Sequence, residues 1–170
     1  MKSKEILRGL DCYDPEGRIF PHISRLSPPR VEPLELALIL KWKFGRFKKT
    51  DKAIIKRIKV INKAIRLAAT CGKEIDAVTA LCTIKGIKIS GASAILTICY
   101  PDRFTIIDKR VLDMLSISPS DASKWTPADY WSRFVPLIQT FSKRHALTLR
   151  QADQVLWGAS VFRDIRARMK

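Results

Sequence analysis

Between Thr50 and Gly72 the chain reads TDKAIIKRIKVINKAIRLAATCG, and Ile54, Ile58, Ile61, Ile65 and Ala68 return every three or four positions. That period gathers them on one face of a helix and puts Lys52, Lys56, Lys59, Lys63 and Arg66 on the opposite face. Gly72 is the expected C-terminal cap. Upstream, after a short amphipathic start, residues 11–33 carry Pro15, Pro21, Pro28, Pro29 and Pro33 with a DPEG turn, and this stretch is expected to be a loop wrapping the surface. Glu32-Pro33 then opens an apolar helix, PLELALILKWKF, that Gly45 can end. Downstream, EIDAVTALCTI predicts a helix, KGIK a tight break, and ISGASAILTICY a second helix. PDRFTII predicts a short loop with an apolar end, after which RVLDML starts another helix.

TPAD at 126–129 and TLRQ at 148–151 are capping signatures, and each predicts a helix start. Behind them, Trp131, Phe134, Leu137, Ile138 and Phe141, then Leu149, Ala152, Val155, Leu156, Ala159 and Phe162, fall at helical spacing. No strand-like alternation competes, FTII being the nearest approach, and no repeat or low-complexity tract is present. The pattern predicts an all-α chain. At 170 residues it is expected to form one domain, 1–170, around one main core.

Composition narrows the function. The 46% hydrophobic content argues against a disordered chain. No apolar run approaches the roughly 18 to 20 residues that span a bilayer. MKSKEILRGLDCYDPEG lacks an apolar signal region, so a cytoplasmic, nucleoid-associated protein without a membrane is expected. Cys12, Cys71, Cys82 and Cys99 are widely spaced, with no C-x-x-C pair and only His22 and His145 beside them. Reduced thiols, no metal and no cofactor are the expectation.

The formal charge is +16, from 32 Lys and Arg against 16 Asp and Glu, so a polyanion is the first partner to consider. Nucleic acid leads, and an acidic membrane surface follows. Residues 41–66 hold eleven Lys or Arg and one acid, Asp51, which is +10 of the total. KWKFGRFKK interleaves Trp42, Phe44 and Phe47 with those cations, a composition suited to phosphate neutralisation and base stacking. The plainer alternative is a solvated helix face.

The chemistry concentrates in IKGIKISGASAILTICYPDRFTIID, residues 84–108. Two helices joined by a glycine turn can present the first N–H groups of the second helix to a phosphate. Gly86 permits the turn, and Ser90, Gly91, Ala92, Ser93 and Ala94 allow close packing. Asp108 is placed to cap the next helix, a role worth about 1 kcal/mol.

The order I-K-G-I-K-I-S-G-A-S-A-I-L, then P-D-R-F-T-I-I-D, resembles the helix-hairpin-helix motif and trailing Asp of the base-excision (HhH-GPD) DNA glycosylase superfamily over residues 81–115. LKWKFGR and RQADQVLW extend a weaker similarity to bacterial proteins resembling oxoguanine glycosylases. The resemblance implies a compact helical fold with a hairpin at 74–100, a loop at 101–108 delivering a catalytic Asp108, and a base pocket between two helical subdomains. It implies double-stranded DNA carrying a damaged or modified base as the partner of a monomeric protein. Lys85, Gly86, Lys88, Ser90, Lys109 and Arg110 would then touch the backbone, with Lys52, Lys56, Lys59, Lys63 and Arg66 adding charge. Trp42, Tyr100, Trp125 and Trp157 are the candidate pocket aromatics.

Two departures set the expected chemistry. Lys88 stands where the family has its second hairpin glycine, and Ser90 stands where bifunctional members carry a nucleophilic lysine. A small hydroxyl residue at that place occurs in adenine-type glycosylases. The 18-residue step from Ser90 to Asp108 fits that arrangement. The resemblance therefore implies a monofunctional glycosylase, in which Asp108 stabilises the oxocarbenium-like sugar and orients water. Any amine chemistry would fall to Lys85, Lys88 or another lysine. The alternative is a non-catalytic DNA-binding protein on the same fold, and a third class is an RNA-binding or protein-interaction adaptor.

Overall fold

Helix α6 (Ile89–Cys99) lies at the centre because every residue from Gly91 to Cys99 is buried. A helix apolar all round has to be enclosed, and α1 (Ile19–Arg25), α2 (Pro33–Phe44) and α5 (Glu74–Cys82) pack around it. The structure, a computed structural model, describes residues 14–46 and 49–169. Cys12, Phe47 and the amphipathic start of the chain lie outside the described residues.

Local signals set the ends of several helices. Glu32 and Glu35 form a reciprocal capping box at the start of α2, Pro33 occupies its first turn, and Gly45 ends it at φ +70°. Thr126 caps α9 (Pro127–Asp129), and Thr148 caps α11 (Leu149–Arg168), each with the predicted capping box. From α9 the chain passes through a π turn, Tyr130–Phe134, into α10 (Val135–Arg144). Pro136 accounts for the widening: it has no N–H for the Ser132 carbonyl one turn back, and its ring crowds that oxygen.

Three expectations need correction. The proline-rich stretch is not all loop, since α1 forms inside it. Pro21 sits in the first turn of α1, where no intrahelical donor is required, and Pro15 O accepts from the N–H groups of Ile19 and Phe20. The 50–72 helix is two helices, α3 (Lys49–Ile55) and α4 (Ile58–Leu67), broken where Arg57 takes φ −91° and ψ 16°. The break re-aims α3 so that Ile54 reaches the turn between α5 and α6. There Gly86 adopts φ +98°, and Ile54 Cδ1 lies 3.1 Å from where a Cβ would stand. Gly72 is also not the cap of this helix, because α4 already ends at Ala68. In the C-terminal helices, helical spacing does not bury every apolar residue: Leu137, Val155 and Phe162 are exposed at 44, 47 and 66%. The covered arc of α11 is Leu149, Ala152, Asp153, Leu156 and Ser160, facing α7 (Lys109–Met114) and α10.

Between these elements Asn62 on α4 acts as a substitute backbone. Its Oδ1 accepts from Val31 N, and its Nδ2 donates to Val31 O, both at 2.9 Å, which fastens the lead-in to α2 against α4. Short α8 (Pro119–Ala122) completes the order. No strand occurs among the described residues, and none of their helices is long and apolar enough to cross a membrane.

Candidate functional site

Residues Phe104 to Ile107 are buried and belong to no helix, and no strand runs beside them among the described residues. Buried main-chain N–H and C=O groups need partners, and here side chains supply them. Tyr130 Oη lies 3.4 Å from Thr105 N, accepting from it, and donates to Thr105 O at 2.6 Å. Asp153 Oδ2 accepts from Ile106 N at 3.1 Å and from Thr105 Oγ1 at 3.3 Å. Ser93 Oγ accepts from Ile107 N at 3.3 Å. Ile107 O accepts from Ser90 Oγ at 3.3 Å and from Lys43 Nζ at 3.2 Å. Helices α2, α6 and α11 and the π turn thus each hold a piece of this segment.

The segment delivers Asp108 to the start of α7 as its N-cap. One carboxylate oxygen accepts from Arg110 N at 3.0 Å, and the other pairs with Lys43 Nζ at 2.8 Å. The Asp108 side chain is 27% exposed and that of Lys43 only 5%. Burial pushes the Asp108 carboxyl up, but the charge and hydrogen bond of Lys43, with the Arg110 N–H, outweigh it and hold it below its usual range. Burial also pulls the Lys43 ammonium down, and Asp108 offsets only part of that. The site therefore carries an ionised carboxylate beside an amine that has lost much of its solvation.

Two clefts meet at Asp108. The first, about 280 Å³, lies between α2 and α11 and is lined by Glu16, Trp42, Lys43, Ile106, Asp108, Val111, Arg150, Asp153, Gln154 and Trp157. Glu16 braces its rim: one oxygen accepts from Trp42 Nε1 at 3.1 Å, the other from Arg150 at 2.7 Å and Gln154 at 2.8 Å. The Arg150 guanidinium lies over the Trp42 ring, 5.3 Å from its centroid, and also pairs with Asp153. The second cleft, about 480 Å³, opens on the other side of Asp108 past Lys88, Ser90, Lys109, Leu112 and Trp125.

Of the four candidate aromatics, Trp42 and Trp157 line the first cleft and Trp125 the second. Tyr100 lines neither. Its hydroxyl donates to Ile65 O at 3.0 Å, which ties the end of α6 to α4, and this anchoring takes it away from Asp108. Ser90 shares the second cleft with Asp108, but its hydroxyl is committed to Ile107 O. Lys85, Lys88 and Lys109 are exposed around the Gly86 turn and the start of α7, and Lys52 on α3, Lys56 in the break, and Lys59, Lys63 and Arg66 on α4 are exposed as well. Arg110 is engaged elsewhere: it pairs with Asp164 at 2.6 Å and lies over Trp157, 5.7 Å from the ring centroid.

Sequence reasoning missed Lys43 and Asp153, although a signal existed. Leu36, Ile39, Leu40 and Lys43 share the buried stripe of α2, and Leu149, Ala152, Asp153 and Leu156 share that of α11. A charge placed on an apolar stripe is a buried charge with a partner to find.

Burial pushes the Asp153 carboxyl up from 3.8 to about 6, against the opposing pull of Arg150 and its other hydrogen-bond donors. The folded state therefore binds this proton more tightly than the unfolded chain does. The proton favours folding at pH 4 and is lost as the pH rises through 6, which costs roughly 3 kcal/mol for a rise of this size. Urea midpoints at pH 4.0 and 6.5 should fall more for the parent than for Asp153→Asn. Equal falls would remove this residue from the pH dependence.

Compared with family models, with curated proteins and with solved structures, the chain matches none.

Proposed function

We propose that the protein is a DNA glycosylase-like base-excision enzyme of the helix-hairpin-helix kind. In this reading α5, the Gly86 turn and α6 form the hairpin that grips the backbone, and the cleft between α2 and α11 receives the extruded base. The observation that carries it is the placement of Asp108. An ionised carboxylate, buttressed from four sides, stands where two clefts meet, one with two tryptophans and one bordered by Lys88 and Lys109.

Hydrolysis of an N-glycosidic bond develops positive charge on the sugar. A fixed carboxylate stabilises that charge and can orient water. The base has to leave the stack first, because its glycosidic bond is out of reach within the duplex. The first cleft then receives the base beside the Arg150 guanidinium that lies over Trp42, and the second cleft carries the strand past Lys88 and Lys109.

The cations on α3 and α4 add attraction that does not depend on sequence. Replacing Lys59, Lys63 and Arg66 together with Gln should weaken duplex binding and flatten the dependence of log affinity on log salt by about 2 to 3, if each meets one phosphate. Fluorescence anisotropy across a salt series measures this, and an unchanged slope would return those residues to a solvated face.

The test of the reading itself is base release from duplexes carrying single modified or mispaired bases, followed by alkali cleavage, with Asp108→Asn beside the parent. Release that vanishes in the variant supports the enzyme. One observation favours a second reading: Asp108 already satisfies Lys43 and Arg110 N, as a purely structural cap would. Salt-dependent binding by both proteins without release from any duplex would favour that non-catalytic DNA-binding module.

A further inference from the structure

Helix α11 has three sides. One packs into the core through Leu149, Ala152, Leu156 and Ser160, and a second faces the first cleft with Arg150, Gln154 and Trp157. On the third, Val155, Gly158, Phe162, Ile165 and Met169 follow one another at alternating steps of three and four. This is the heptad spacing of a helix seam. The four large side chains of the stripe are exposed at 47, 66, 52 and 82%, and past Ser160 no described residue of α11 is buried.

The glycine within the stripe is a second observation. Glycine weakens a helix interior, yet a Cβ at Gly158 would meet nothing within 4 Å in this chain. No contact inside the protein asks for it. A bulky side chain arriving from outside would, because bare backbone leaves it a seat.

The flanking charges define what arrives. Arg166 and Arg168 stand on either side of the seam, where paired helices exchange ion pairs. Asp164, the only acid from 154 to 169, is taken up by Arg110. A second copy would bring the same arginines and a net charge of +16, with no acid to offer them. A bilayer surface is met by a broad apolar face, whereas this stripe keeps to two positions in each heptad. We propose that this face of α11 is a docking surface for an acidic amphipathic helix of a partner protein, its apolar residues along the stripe and its Glu or Asp beside Arg166 and Arg168. The face is turned away from the Asp108 clefts, so the inference stands apart from what those clefts do.

The test uses the full-length protein and a fluorescent peptide of about three heptads, with Leu at the seam positions and Glu on both flanks. Anisotropy should show saturable binding of this peptide and not of a twin with Lys on the flanks. Phe162→Glu should weaken binding by at least about thirtyfold, the mark of a hot-spot residue. Its urea midpoint should match the parent's, because that side chain is mostly exposed. Arg166→Glu with Arg168→Glu should reverse the preference toward the Lys peptide, an exchange that an unfolded variant cannot give. Gly158→Ala should raise the urea midpoint, and a fall would mean that the glycine serves this chain's own packing and would overturn the seat. Equal binding of both peptides, or no binding of the Glu peptide, would overturn the proposal. So would either rival occupant. A dimer in sedimentation that Phe162→Glu dissolves would assign the face to a second copy. Flotation with phosphatidylglycerol vesicles that Phe162→Glu abolishes, without peptide binding, would assign it to a membrane.

Discussion

Asp108→Asn is expected to lower the single-turnover rate of base release by about a hundredfold to a thousandfold, the usual cost of removing one preorganised electrostatic group. Duplex affinity should stay level or tighten, since the change removes a negative charge from a strongly cationic protein. The fold should survive. Asn is as good an N-cap as Asp, so the bond from Arg110 N can persist on its oxygen, while its NH2 replaces the oxygen that accepted from Lys43, which keeps its bond to Ile107 O. The variant therefore separates charge from position. A rate within threefold of the parent would leave Asp108 with a capping role only and remove the basis for calling the protein an enzyme.

Tyr130→Phe should have the converse signature. It removes one oxygen from the core, yet we expect a loss of about 2 to 4 kcal/mol in urea unfolding, because that oxygen serves both the N–H and the C=O of buried Thr105. Groups left buried without a partner cost roughly 1 to 3 kcal/mol each. Tyr130 is fully buried and its hydroxyl lies 2.6 Å from Thr105 O, so water has no easy route to replace it. Base release should fall as well, since Asp108 lies three residues along the same segment and small displacements of a reacting group are expensive. A loss below about 0.5 kcal/mol would mean that the segment finds other partners, and that its side-chain clamps do not set its position.

Much of the fold was legible because capping is local. Glu32-Pro33, Thr126 and Thr148 announced helix starts, and Gly45 announced a stop, using residues within a few positions of each boundary. The break at Arg57 was not legible. The Ile period runs straight through it, and the contact that accompanies it, Ile54 against Gly86, spans more than thirty positions. The site divided in the same way. Asp108 could be placed from its own neighbourhood, as the polar end of an apolar run before a helix. Lys43 was counted within a cationic stretch and valued for its charge, when its position on the stripe of Leu36, Ile39 and Leu40 was the informative property. Tyr100 failed for the opposite reason: aromatic character suggested a pocket, and only the fold shows its hydroxyl spent on Ile65.

The way residues 104–107 are held also bears on how this site can change. Within a sheet, a strand takes its place from a neighbour's main chain, which almost any sequence supplies. Here Ser90, Ser93, Tyr130, Asp153 and Lys43 do that work with atoms that a single codon change can shorten, lengthen or delete. Ser93 and Tyr130 line neither cleft at Asp108. Substitutions at such positions could shift the carboxylate by fractions of an ångström while leaving both cleft walls intact. The scaffold thus has adjusting screws outside its working surface, through which a lineage could retune the chemistry without rebuilding the site.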